Sequence, residues 1–409
     1  MISKFKPKSE FSKNVLTLMT GTTIAQAIPI AISPILTRIY TPEDFGKYAL
    51  FLSLVMIAMS ITTLRYEQAF MLPAKSKDAF ALLKGSMIIL PLMTVILTLL
   101  LIAFNNITKF DTWMIVGFSI SIFFFGFVNI ILAYFNRIKK YKLITNNMII
   151  TSVTNGIMSI LFGLISGTYV VLIFSIIFSK IIAFFSLYKQ VLIYIKIKVD
   201  KSTIISQLKE YKDMPKYSTP EVFIGTFNQQ STIIFLTYFF DPMLAGSYFL
   251  INRIFATPIS VFSSSFSKVF YKEFTKSKIK KSYIITTWVK LFIIVVPLGI
   301  LLSFILYDLI IFAFGANWDK AAIIAQILLP YFVINFVFSA TSTSHLTLRL
   351  QHISLFFAIL SLFVKLGIFI YGYIINDFLS MLQIIVVYDV VQIIFMNLIA
   401  LLKLRKDKS

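Results

Sequence analysis

The chain has 409 residues, 58% of them hydrophobic and only 13% charged, with a mean hydropathy of +0.88. Soluble domains run at about 45–50% apolar and about 25% charged, so a soluble enzyme and a disordered chain are both excluded. The absence of cysteine removes disulfide frameworks and thiolate chemistry, two histidines leave little for a metal centre, and no cofactor is expected.

A helix crosses a bilayer with about 20 apolar residues. Runs of that length begin near Asn14, Phe45, Leu83, Thr112, Leu143, Thr168, Tyr217, Met243, Tyr283, Ala322, His352 and Phe378. They predict an all-α polytopic membrane protein of about twelve transmembrane helices. The first and seventh runs are the richest in Thr, Gln and Ser and are the weakest as spans.

The net charge is +21, from 38 Lys and Arg against 17 Asp and Glu. With both termini placed inside, the inner segments carry 29 of the cations and the outer segments carry 4 (Arg38, Lys47, Lys109 and Lys320). Lys and Arg concentrate on the cytoplasmic side of membrane proteins. The asymmetry therefore predicts cytoplasmic termini and a multi-pass protein of the cell membrane. It also accounts for the positive charge without nucleic acid. The Lys-rich start precedes a run too long for a signal peptide and shows no cleavage pattern, and the outer loops are short.

The chain repeats itself. Leu36, Thr37, Pro42, Gly46, Tyr48 and Leu50 recur at an offset of 200 as Leu236, Thr237, Pro242, Gly246, Tyr248 and Leu250. Lys84, Ile88, Pro91 and Leu92 recur at 206 as Lys290, Ile294, Pro297 and Leu298, and Arg137 falls on Arg349 at 212. Six spans per repeat make a parallel repeat about an axis along the membrane normal. The expected division is a six-helix lobe over 1–190, a charged cytoplasmic linker over 191–216 and a second six-helix lobe over 217–409. Two such lobes would enclose a central cavity suited to alternating access.

Five cations fall within the predicted spans: Arg65, Lys180, Arg253, Lys290 and Lys365; the acids assigned to spans are Glu67, Glu221 and Asp389. At about 1.5 Å per residue, Lys180, Arg253, Lys365 and Asp389 lie near mid-depth. A Lys or Arg there costs about 2.5–3.5 kcal/mol, so three facing lipid would cost roughly 8–10 kcal/mol. They are expected to face the interior, paired or wet. Arg253 is the sharpest candidate for an anionic substrate group, because its planar fork matches phosphate oxygens. Lys180 has no acid at equal depth in its own half. Lys365 and Asp389 sit on consecutive antiparallel spans and can pair, either for structure or for ion coupling. Arg65 and Glu67, two apart on a helix, would point to different faces and not neutralise each other. Lys290 can snorkel to the interface, and Glu221 after Pro220 reads as a first-turn acid.

Pro29 and Pro34 are expected to break the first span, Pro258 the eighth and Pro330 the tenth. His345 and His352 read as interfacial. The Phe123-Phe124-Phe125 run reads as packing rather than a sugar platform. No Walker A motif is present for ATP, and no outer loop carries paired carboxylates for glycosyl chemistry, so the chain is not expected to be an enzyme.

The stretch Leu36-Thr37-Arg38-Ile39-Tyr40-Thr41-Pro42-Glu43-Asp44-Phe45-Gly46 resembles the junction between the first two spans of Wzx-type polysaccharide flippases. Leu64-Arg65-Tyr66-Glu67 with Leu72-Pro73, and Phe314-Gly315-Ala316-Asn317-Trp318, resemble two further segments of that family. The family lies in the multidrug/oligosaccharidyl-lipid/polysaccharide exporter superfamily. The resemblance implies translocation of an undecaprenyl-diphosphate-linked oligosaccharide for O-antigen or capsule synthesis, with the lipid bilayer and the polysaccharide polymerase machinery as partners. It gives Arg65 and Glu67 a motif. Arg253, Lys180 and Lys365 enter from depth alone. A cation-coupled multidrug antiporter of the same superfamily is the alternative, disfavoured by a cavity richer in Lys and Arg than in acids. An O-antigen polymerase lacks its outer loops here, and a major-facilitator sugar transporter lacks its basic motif at Pro73 to Gly85.

Overall fold

The computed structural model describes residues 10–105, 110–195, 198–276, 280–341, 348 and 350–406. His345, Arg349 and Lys109 lie outside the described residues. Among the described residues the chain is helical, with twelve helices of 18 residues or more and one short one. They are α1 (Glu10–Ile39), α2 (Pro42–Met59), α3 (Ser76–Ala103), α4 (Thr112–Arg137), α5 (Tyr141–Gly163) and α6 (Tyr169–Ile195), then the short α7 (Lys201–Glu210). The second set is α8 (Thr219–Phe239), α9 (Pro242–Lys276), α10 (Lys280–Phe314), α11 (Asp319–Ser339), α12 (Gln351–Ile375) and α13 (Phe378–Lys406). Each of the twelve predicted runs falls on one long helix.

Eight of them are long and apolar enough to cross a membrane by length and composition alone: α1, α3, α4, α6, α10, α11, α12 and α13. The first run therefore qualifies despite its threonines. The seventh, on α8, does not qualify, and neither do α2, α5 and α9. Glu43 and Asp44 lie on α2, the Asn146-Asn147 pair on α5, Gln229-Gln230 on α8 and Arg253 on α9. The lipid-ready faces are plain on α3 and α10, where Ile88, Leu92, Leu99, Ile293, Leu301 and Phe304 are all exposed.

Local sequence explains the helix starts. Thr41 and Asp44 form a reciprocal cap at α2: Thr41 Oγ1 donates to Asp44 Oδ2, and the Asp44 N–H donates back to Thr41 Oγ1 at 3.2 Å. Asp111 caps α4 by accepting from the Met114 N–H at 2.8 Å. Asn376, left-handed at φ 51°, ends α12, and Asp377 accepts from the Ser380 N–H at 3.1 Å to open α13. The prolines do not break their helices. α1 runs through Pro29 and Pro34, α9 through Pro258 and α11 through Pro330. In α1 the Ser33 hydroxyl donates to the Pro29 carbonyl at 2.7 Å and Thr37 to that of Pro34 at 3.1 Å. These hydroxyls add a second donor to the prolines' own carbonyls, while the carbonyls that lose a helical partner are those of Ala25 and Ile30, four residues earlier.

The chain forms two compact units. The first runs to Tyr40 and from Tyr48 to Gln230; the second takes Thr41–Lys47 and continues from Ser231. In the first, α1 packs on α5, α5 on α6, α6 on α4, α4 on α3, and α7 lies against α3. Gly21 permits the α1–α5 approach: a Cβ there would stand 1.9 Å from Thr145 Cγ2. In the second, α10 packs on α11, α11 on α13 and α9, and α12 on α13. Phe235 stacks on Phe369 with centroids 4.3 Å apart, joining α8 to α12. The pairings α3–α4, α4–α6 and α5–α6 have counterparts in α10–α11, α11–α13 and α12–α13.

Candidate functional site

Three features gather the residues singled out above. The first is the turn after α2. That helix ends at Met59, and Leu64 and Arg65 both adopt the left-handed conformation, at φ 50° and 61°. Non-glycine residues take that conformation at a cost and hold it where the surroundings impose it. Residues Tyr66–Met71 then form a 3-10 turn. Arg65 and Glu67 are therefore not two apart on an α-helix, and the expectation that they avoid each other is wrong. Arg65 Nη1 lies 3.5 Å from Glu67 Oε1. The Thr63 hydroxyl donates to the other carboxylate oxygen, and Glu67 is 3% exposed.

This turn is fixed from both sides. The Tyr66 hydroxyl donates to the Leu208 carbonyl on α7 at 3.0 Å. Arg137, in the last turn of α4, donates to the carbonyls of Phe70 and Pro73 at 2.5 and 2.7 Å. Tyr66, Phe70, Phe80 and Tyr134 pack in one buried cluster. Burial pushes the Tyr66 phenol above its ordinary value, which keeps it a donor. Sequence reasoning placed Arg137 on the positive side and missed that it clamps the motif. The signal available was its proximity to Tyr134 and Phe135 at a helix end.

The second feature is a cavity of about 340 Å³ inside the first unit, walled by α1, α4, α5 and α6. Lys180 of α6 reaches into it, with Nζ 4.9 Å from the centre of the Phe125 ring. The polar wall is supplied by Gln26, Asn129, Asn147 and Ser152. Among the described residues no Asp or Glu lines it, and α4, α5 and α6 carry none anywhere along their lengths. Lys180 thus meets an aromatic face rather than an acid, and Phe125 has a specific partner rather than a generic packing role. Arg65 and Glu67 do not line this cavity.

The third feature lies in the second unit. Lys365 Nζ on α12 is 3.0 Å from Asp389 Oδ1 on α13, with side chains 12% and 18% exposed. The pairing open to these two residues is made. Arg253 sits partly buried on α9, one residue beyond Asn252, whose amide donates to the Tyr248 carbonyl at 3.2 Å. Glu221 is exposed in the first turn of α8, as an N-terminal acid. Lys290 is exposed on α10 beside Thr286 and Thr287. Asp308, also exposed on α10, is a span acid that the sequence reading passed over.

The segments at 41–46 and 314–318 meet inside the second unit. Phe45 and Trp318, 1% and 0% exposed, form an edge-to-face pair with centroids 5.0 Å apart. Gly315, at φ 100°, turns the chain so that Trp318 enters the core.

A family model described as Polysaccharide biosynthesis protein matches residues 11–277. Comparison with curated proteins finds no match. Among solved structures, the lipid II flippase MurJ in an inward closed conformation is similar at TM-score 0.68 and 15% identity, over 95% of this chain and 89% of that one. MATE in complex with MaL6 is similar at TM-score 0.60 and 14% identity, over 97% of each chain. A MOP-superfamily transporter from Pyrococcus furiosus, described as having a binding pocket of reversed polarity, is similar at 0.58 and 12% identity, over 97% of this chain and 96% of that one. At these identities the likeness establishes the fold alone, one shared with these membrane transporters and flippases. With well over half of its residues under the family model, the chain belongs to the polysaccharide biosynthesis protein family, that of the Wzx-type flippases.

Proposed function

We propose that this protein moves undecaprenyl-diphosphate-linked oligosaccharide units from the cytoplasmic to the outer leaflet of the cell membrane, by alternating access of its two six-helix lobes, to supply surface polysaccharide such as O-antigen or capsule. The observation that carries the reading is Arg253, a guanidinium at mid-depth of its predicted span and partly buried on α9. Charges at mid-depth are retained where they serve a substrate path or a partner, and a diphosphate headgroup is the anion that such a path would carry. Arg253 is the lead residue for the diphosphate. Arg65 and Lys365 are tied to the carboxylates of Glu67 and Asp389 and support the fold around that path, and both termini lie in the cytoplasm. The polysaccharide polymerase machinery is the expected downstream partner.

The test is genetic and chemical. Deleting the gene should leave the lipid-linked oligosaccharide exposed to the cytoplasm, and an Arg253→Ala copy should fail to restore surface glycan at normal protein level. Normal surface polysaccharide in the Arg253→Ala strain would overturn the mechanism. The second reading, a cation-coupled multidrug antiporter, is favoured by the similarity to MATE structures. Ethidium efflux by the purified protein in vesicles, with no effect of the deletion on surface glycan, would establish it instead.

A further inference from the structure

We infer that the cavity within the first unit is a binding site for a small monovalent inorganic anion of halide size, held as the counter-ion of Lys180. An ammonium on a membrane-spanning helix is costly unless something compensates it. Here α1, α4, α5 and α6 bring it a ring face and no carboxylate. The ring contact favours the charged form, because the aromatic face attracts a cation. It does not neutralise it.

The remaining wall mixes apolar side chains (Ala25, Val128, Leu132 and Met148) with polar ones, of which the Thr22 and Thr151 hydroxyls already donate to backbone carbonyls. Asn129 contributes an amide and Ser152 a hydroxyl. Gln26 has a buried Oε1 with no protein partner. Oxygen and nitrogen of an amide are assigned rather than observed, so turning this one over presents two N–H groups to the same space. By contrast, Asn147 is already spent: its amide donates to the Ala183 carbonyl at 2.7 Å and the Ser186 hydroxyl at 3.1 Å. It fixes α5 against α6 beside Lys180 rather than serving a ligand.

Volume and charge choose among anions. About 340 Å³ is at the small end of ligand pockets. It admits a halide with part of its hydration, whereas an oligosaccharyl diphosphate would overfill it. One ammonium matches one negative charge. A phosphate or diphosphate would leave excess charge in a low-dielectric wall that has no second cation. The site is therefore distinct in chemistry from the diphosphate path and does not depend on it.

The experiment compares thermal unfolding of purified protein in lipid nanodiscs at one ionic strength, in sodium chloride, bromide, gluconate and pyrophosphate. Halide line broadening by NMR serves as a direct binding measurement. Wild type should unfold roughly 2–4 °C higher in chloride or bromide than in gluconate at about tenfold excess over Kd, and should broaden the halide line. Lys180→Met should lose both effects, while Arg253→Ala keeps them. Should Lys180→Met fail to fold, Gln26→Leu with Asn129→Leu replaces it and should weaken halide broadening several-fold. Stabilisation by pyrophosphate but not chloride, halide binding that survives Lys180→Met, halide binding lost in Arg253→Ala, or no halide effect on wild type each overturns the assignment.

Discussion

Gly46 and Gly246 close on each other's helix starts within the second unit. A Cβ on Gly46 would stand 1.8 Å from the carbonyl oxygen of Pro242, and one on Gly246 would stand 1.9 Å from that of Pro42. The two positions are related by the 200-residue repeat, so the reciprocity is the repeat's local symmetry made visible. Backbone carbonyls do not yield as a flexible side chain does. Gly46→Ala and Gly246→Ala should each destabilise by about 3 kcal/mol or more, at the upper end for overpacking. Gly367→Ala, with open space around it, should change little. Thermal unfolding in detergent reads all three.

The Phe45–Trp318 pair links two segments that are 273 residues apart in sequence. Trp318→Ala should cost about 3–5 kcal/mol as a core aromatic lost. A double-mutant cycle with Phe45→Leu should give a coupling of about 0.5–1.5 kcal/mol, the size of an edge-to-face contact beyond burial. Zero coupling would mean that the rings merely share a core.

Glu67 is a buried carboxylate whose charge is met by Arg65 and whose second oxygen is met by Thr63. Arg65→Ala strands it. The expected cost is about 2–4 kcal/mol, below the full value for a broken buried pair because Arg65 keeps partial exposure. Glu67→Gln should be milder, since an amide still accepts from Thr63. The double variant should recover part of the Arg65→Ala loss. Unfolding midpoints measure the order, and surface glycan per unit protein measures its effect on export.

Lys365 and Asp389 are expected to hold α12 to α13 rather than to cycle protons. Either single neutralisation leaves a charge inside the membrane and should cost about 3–5 kcal/mol. Lys365→Met with Asp389→Leu should be near neutral and should still export glycan. A double variant that folds but does not export would place the pair in the transport cycle.

Much was legible from the residues alone. Apolar run length located twelve long helices, eight of which are long and apolar enough to cross a bilayer. The depth of Lys365 and Asp389 pointed to a pair because consecutive antiparallel helices bring equal depths together. Those signals are local or one-dimensional. The Arg65–Glu67 contact was misread because the reading extended α2 past Met59, and two left-handed residues cannot be foreseen from periodicity. The sequence by itself determined the class of protein and the places of the twelve long helices, since both follow from what may face lipid. Only the tertiary structure decided that Lys180 answers to Phe125 in a cavity with no carboxylate among its described lining residues, and that Gly46 meets Pro242. Those relations depend on which helix faces turn toward each other, and packing rather than hydropathy sets that.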